Sequence, residues 1–314
     1  MRILITGSSG QIGTNLGLRL LEEGHDILGI DVRSNPWTDL IPTHILDLAK
    51  QLTVTDMRIG EVTVGRVDAV VHLAAHAKVH ALVERPLGAL ENHLMVTNAL
   101  EFARHASVPI VLASSREVYG NSVQPGTPVP ESAADFRASP SPYAAMKLAS
   151  EALAASYRRC YGTPFSVIRF SNVYGRYDND LHRLERAIWI FARNIASGRP
   201  VTVFGEEKML DFTYVDDAVL GLHLCVQRLV ARDPLVDGET FNLAYGQGWR
   251  LVEVVHLIAQ TLDKPAEITL EAARPGEVTW YVADIGKARE RLGYVPRTPV
   301  SEGIPKALAW ARGQ

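Results

Sequence analysis

The chain has 314 residues, 47% hydrophobic and 21% charged, with a formal net charge of −3. That length supports a large core and two lobes, and the charge balance excludes function through a nucleic-acid surface. No apolar run approaches membrane-spanning length. The N-terminal apolar stretch is too short for a signal peptide, so the expected location is the cytoplasm. Cys160 and Cys225 lack metal-ligand spacing and read as buried or inert thiols.

In chain order, Ile3-Leu4-Ile5 reads as a buried strand. Thr6 to Gly13 follows, with Gly7, Gly10 and Gly13 at every third position, then a leucine-rich segment of helical length. Strand, glycine turn and helix form the context of a dinucleotide fingerprint: glycine lets the backbone approach a pyrophosphate, and the helix N-terminus offers N–H groups to the anion. A second strand over 26–30 ends at Asp31, 18 residues after Gly13. A carboxylate there meets adenosine ribose hydroxyls and repels a 2′-phosphate, which favours NAD over NADP. Arg33 beside it argues the other way. The alternative is a plain strand, turn and helix.

Further strands are expected over 43–46, 68–73, 109–113 and 165–169, with helices over 92–106 and 143–161. This alternation implies an α/β fold, a doubly wound parallel Rossmann sheet, with ligands at the carboxyl ends of the strands. The residues to inspect therefore follow Ala75, Ala113 and Arg169. Beyond Arg169 a polar loop over 174–184, including Tyr177 to Asp180, precedes a helix over 184–197. A strand Val201–Phe204 follows, and 241–244 reads as a late strand returning to the sheet. The expected division is a cofactor-binding domain over 1–170, with returning segments near 211–245. A smaller substrate-binding lobe takes 171–210 and 246–314.

Tyr143 and Lys147, at i and i+4 near a helix start, share one face. A lysine ammonium beside a phenol favours the phenolate, which would make Tyr143 a general base closer to neutrality; a nearby NAD⁺ pushes the same way. Ser115, at the end of the fifth strand, can hydrogen-bond the same substrate oxygen. Taken alone, Tyr-x-x-x-Lys is usually a surface pair.

These residues join others across nearly the whole chain: Asp47-Leu48, His72 to Ala75, Asn92 with Asn98, Ser114 to Gly120, Arg169 to Gly175, Asp211 to Asp217, and Arg274 to Glu277. Together they resemble the extended short-chain dehydrogenase/reductase family of NAD-dependent nucleotide-sugar epimerases and dehydratases, in the manner of UDP-glucose or UDP-glucuronate 4-epimerases. The resemblance implies proton removal from the sugar C4 hydroxyl by Tyr143, helped by Ser115 and Lys147, and hydride transfer to bound NAD. It implies NAD contacts from Gly7, Gly10, Gln11, Ile12, Gly13, Asp31, Arg33, Asp47, Leu48, Leu73, Ala74, Ala75, Asn92 and Phe170, with Tyr143 and Lys147. It implies substrate contacts from Asn172, Phe204 and Arg274, whose planar fork suits a diphosphate. It also implies a homodimer through the helices near 92–106 and 143–161.

Two stretches depart from the family pattern. Arg116-Glu117 follow Ser115. A glutamate at 117 resembles the dehydratases and decarboxylases, where it serves as a base near C5, but an arginine at 116 cannot donate the proton a 4,6-dehydration needs. Arg116 either faces the sugar, where it can pair with a uronate carboxylate, or forms a local ion pair with Glu117 or points to solvent. Leu210 stands where the family has a diphosphate-binding arginine, and Lys208 or Arg176 is a candidate substitute. His72 reads as a hydrogen-bonding strand-end histidine, and His76 and His80 border the sugar or serve the structure. His182 and His223 lack partners at ligand spacing, so no metal site is expected. Trp189 and Trp310 read as core or interface.

Overall fold

The carboxyl ends of the parallel strands form one edge of a sheet, and the candidate catalytic and cofactor-binding residues gather there. The computed structural model describes residues 1–51, 53–55, 57–121, 125–178 and 186–313. The expected helix start at Leu184, Asn179-Asp180 of the expected loop, and His182 lie outside them. The strands in chain order are β1 (Arg2–Thr6), β2 (Asp26–Asp31), β3 (Thr43–Ile45), β4 (Arg58–Ile59), β5 (Val62–Thr63), β6 (Ala69–His72), β7 (Ile110–Ser115), β8 (Phe165–Phe170), β9 (Asn172–Tyr174), β10 (Val201–Phe204), β11 (Met209–Tyr214), β12 (Glu239–Leu243), β13 (Gly248–Arg250), β14 (Ile268–Glu271) and β15 (Trp280–Tyr281). The helices are α1 (Gln11–Glu22), α2 (Val79–Glu84), α3 (Leu87–Ala106), α4 (Pro142–Tyr161), α5 (Ala187–Ala196), α6 (Val215–Val230), α7 (Leu251–Leu262), α8 (Gly286–Leu292) and α9 (Val300–Arg312).

Seven strands form one parallel sheet in the order β12-β8-β7-β6-β1-β2-β3. Side chains alternate between its faces. Ile3, Ile5, Val71 and Ile168 pack under α1 and α6 in one core. Leu4, Val70, Ile110 and Val167 pack against α3 and α4 in the other. Both faces are covered, so strands such as Val167-Ile168 carry apolar residues at consecutive positions. The chain leaves β1 toward β2 and β3, then returns to β6 on the other side. The switch point therefore lies between β1 and β6, where a crevice opens beyond the strand ends.

A third core joins α5, α7 and α9 to β10, β11 and β15. β11 pairs with β9, β13 and β15, and β10 pairs with β14, so of the late strands only β12 returns to the large sheet. Asp211 on β11 is wholly buried and accepts from Tyr245, Gly246 and Ala283 N–H groups at 3.2, 2.9 and 3.2 Å. Burial pushes its carboxyl up to about 7, against those hydrogen bonds. Cys225 is buried, whereas Cys160 is exposed near the end of α4. Trp189 lies in the third core, and Trp310 packs on Trp37 and Tyr177. Among the described residues no helix is long and apolar enough to cross a membrane.

Candidate active site

The glycine turn is held by backbone contacts that leave no room for side chains. A Cβ on Gly7, whose φ is +74°, would meet Ala74 N at 2.7 Å, and one on Gly13 would meet the Gly7 carbonyl oxygen at 2.2 Å. Gly10 caps α1 without a side-chain acceptor, so the helix's first N–H groups stay open to an anion. In that first turn the Gln11 amide is buried, with neither its nitrogen nor its oxygen partnered. Asp31 Oδ2 accepts from Ser9 N at 3.0 Å, and Arg33 Nη2 donates to the Ser9 carbonyl at 3.1 Å. The acid and the base that the sequence set in opposition therefore both brace the turn.

A cleft of about 880 Å³ opens here, walled by Gly7, Gly10, Asp31 and Arg33 on one side and by Leu48, Leu73, Ala74 and Ala75 on the other. The orphaned Gln11 amide, the open helix end and the acid at the tip of β2 fit a dinucleotide. Other expected cofactor residues brace the wall instead of lining the cleft. Asp47 accepts from Ala49 N at 3.0 Å and pairs with Lys50 at 2.9 Å. Asn92 holds the His76 N–H and carbonyl at 2.7 and 3.0 Å, fixing the loop after β6. Ile12 and Phe170 pack into the sheet's core.

The catalytic candidates meet at the end of β7. Ser141 caps α4, accepting from Ala144 N at 3.3 Å, and Pro142 starts the helix. Tyr143 and Lys147 then share the helix's buried face, and Tyr143 hydrogen-bonds Ser115. Burial pushes the Tyr143 phenol up to about 12, opposed by the Ser115 hydrogen bond and reinforced by the charge of Glu117. Burial also pulls the Lys147 ammonium down to about 8, and its Nζ donates to the Ala113 carbonyl at 2.7 Å, lying 5.7 Å from the Tyr143 ring centroid. Burial, opposed by Ser115 and nearby arginines, sets the direction of the Tyr143 shift, so the lowering expected from Lys147 does not show here.

Arg116 and Glu117 form an ion pair at 2.9 Å, and Arg116 also donates to Asn172 Oδ1 at 3.1 Å. The local pair exists, but buried in the wall. Arg116 Nη1 and Glu117 Oε2 are buried without partners, and the charges of both residues reach Tyr143. Arg274 stacks on Phe204, its Cζ 3.8 Å from the ring centroid, so these two expected substrate residues come together. The substitutes for Leu210 do not. Leu210 is buried in the third core, Lys208 pairs with Glu277 at 2.7 Å, and Arg176 is bound to Asp216 at the start of α6. The Arg176 carbonyl also accepts from Asn15 of α1, which sets this residue beside α1 and α6. The charge of Arg186 also reaches Tyr143.

Sequence reasoning missed the brace beneath the site. Arg169 grips Glu151 through Nε and Nη2 at 3.0 and 2.6 Å, Glu151 accepts from Ser114 Oγ, and Arg169 donates to the Tyr119 hydroxyl at 3.0 Å. The signal was present, since Glu151 sits one helical turn beyond Lys147. His72 is buried and bonded to Thr6 Oγ1 at 2.8 Å, as a strand-end histidine. His76, which lines the cleft, pairs with Glu91 at 2.8 Å. The expectation of no metal site rested on spacing alone, yet the fold brings His223 to Glu23 and His25.

Comparison with known proteins adds to this geometry. The family model for the NAD-dependent epimerase/dehydratase family matches residues 3–244. The chain belongs to that family. As a member it is an NAD-dependent epimerase/dehydratase enzyme, and its cofactor is NAD. It is 30% identical to a UDP-glucose 4-epimerase of Mycolicibacterium smegmatis, covering 100% of this chain and 99% of that one. It is 28% identical to a UDP-glucuronate 4-epimerase of Thermodesulfobacterium geofontis, over 98% and 95%. The crystal structure of the Thermotoga maritima UDP-glucose 4-epimerase with UDP-glucose superposes with a TM-score of 0.88, at 26% identity, over 100% and 99% of the two chains.

Proposed function

We propose that the protein is a nucleotide-sugar 4-epimerase acting on a UDP-hexose or UDP-hexuronate. The observation that carries this reading is the gathering of half-buried Ser115 with buried Tyr143 and Lys147 at the carboxyl edge of the sheet that also forms the dinucleotide cleft. NAD, when bound, supplies hydride acceptance and return. Tyr143 takes the proton of the sugar C4 hydroxyl and Ser115 holds the same oxygen. Lys147 adds a positive charge that favours the phenolate as the reaction proceeds. The hydride leaves C4 to give a 4-ketone. The 4-keto sugar then turns over in the site, and return of the hydride to its other face, with the proton handed back by Tyr143, yields the epimer. Arg274 meets diphosphate oxygens, Phe204 borders the base, and Asn172 contacts the diphosphate. In this reading residues 1–170 and 211–245 hold the cofactor, and 171–210 and 246–314 hold the nucleotide sugar. Exposed Leu87, Leu90 and Leu94 share a face of α3 and support a homodimer through α3 and α4. The free cysteines suit a cytoplasmic enzyme.

Glu117 supports a second reading, a dehydratase or decarboxylase, because its Oε2 is buried without a partner beside Tyr143. Arg116 occupies its other oxygen, which favours epimerisation. The experiment is mass and proton-NMR analysis of products from UDP-, dTDP-, GDP- and CDP-hexoses and hexuronates. Unchanged mass with inversion at C4 is the expected result; loss of water or carbon dioxide assigns the chemistry to Glu117. Tyr143→Phe should slow turnover about 10³-fold while retaining NAD. No turnover of any sugar by the parent would instead indicate a non-catalytic NAD-binding protein.

A further inference from the structure

At the amino edge of the large sheet, opposite the cofactor cleft, three metal-binding side chains converge from parts of the chain 200 residues apart. Glu23 ends α1, His25 precedes β2, and His223 projects from α6. Each offers one ligand atom, and these atoms lie within 4.8 Å of one another. His223 Nδ1 is already 3.1 Å from Glu23 Oε2. Ligand atoms around a tetrahedral zinc, with bonds of 2.0–2.1 Å, are about 3.3 Å apart, so the pair needs no rearrangement, while partly exposed His25, whose Nδ1 lies 3.4 Å from the Met1 ammonium, turns inward to complete the set. Arg19 Nε, 3.1 Å from Oε1 of Glu23, fixes the carboxylate with its other oxygen toward His223.

A second observation singles out His223. It is only 4% exposed, and its Nδ1 is the ring nitrogen that faces Glu23. The rings of His25 and His223 meet edge to face, with centroids 6.1 Å apart.

We propose that Glu23, His25 and His223 form a site for a divalent transition metal, with zinc the ion that suits two imidazoles and a carboxylate. Bound zinc clips the α1–β2 turn to α6, so the site stabilises the fold and takes no part in the sugar chemistry.

The test is calorimetric titration of zinc chloride into chelator-treated protein carrying Cys160→Ser, which removes an exposed competing thiol. One saturable ion per chain is expected, with a melting temperature raised by a few degrees at about 100 µM zinc. His25→Ala, at a partly exposed position, should weaken binding at least about tenfold, as should Glu23→Gln, while His80→Ala leaves it unchanged. Absence of saturable binding in the parent overturns the proposal. So does undiminished binding in His25→Ala. Product analysis on nucleotide sugars is a separate measurement, so failure here and failure of the epimerase reading are distinguishable.

Discussion

The glycine turn and the Arg274–Phe204 corner use the chain in opposite ways. The turn is made of backbone: Gly7 lies against Ala74, Gly13 against Gly7, and a single added carbon finds an atom 2.2 Å away. The corner is made of long side chains, with an exposed arginine resting on a ring at 3.8 Å and Lys208 reaching Glu277 at 2.7 Å. One region has no steric slack, and the other can be rebuilt one side chain at a time. A pocket for an unvarying cofactor tolerates the first kind of construction; on the proposed reading, a site for the nucleotide end of a substrate benefits from the second.

The largest expected effect is at the turn. Gly13→Val should abolish NAD binding and lower stability by about 3 kcal/mol or more, read by calorimetric NAD titration and thermal unfolding; near-normal binding would show that the turn has slack after all. Next comes the Arg116–Glu117 pair, buried but made of side chains. Arg116→Met leaves a buried carboxylate alone and should lower stability by about 3–5 kcal/mol, with Arg116→Met/Glu117→Leu recovering most of it. Smaller again is the acid response of His72. Burial pulls it from 6.5 to about 3, so below pH 6.5 the unfolded chain binds a proton that the folded chain refuses, and stability drains away as pH falls toward 3. Between pH 7 and pH 5 this residue should remove about 2 kcal/mol, and His72→Asn should flatten that part of the urea-denaturation profile. The smallest effect on the fold is expected from Arg274→Ala, which should leave stability within about 0.5 kcal/mol while raising KM about tenfold with kcat little changed.

The same contrast explains what the sequence revealed. The turn, the sheet strands and the Tyr143–Lys147 face were legible because short-range spacing determines them: glycines three apart, apolar runs, and two residues one helical turn apart. Leu210 was legible as a departure, but its consequence was not. Whether Lys208 or Arg176 replaces the missing arginine depends on Glu277 and Asp216, residues far along the chain that hold those cations. The raised Tyr143 phenol was hidden for a related reason, since desolvation is a property of everything packed around a side chain. Helix α3 begins at Leu87, five residues before its expected start, because exposed Leu87, Leu90 and Leu94 hide the amphipathic signal.

The brace of Ser114, Glu151 and Arg169 has one more consequence. It bolts α4 to β7 and β8 from below, so the tyrosine and lysine arrive as a prefabricated unit whose alignment does not depend on the residues that grasp the sugar. On the proposed reading, a lineage can therefore alter its grip on the nucleotide end of the substrate through the corner around Arg274 without recalibrating its reaction centre, and a gene duplicate inherits working chemistry before it has settled on a substrate.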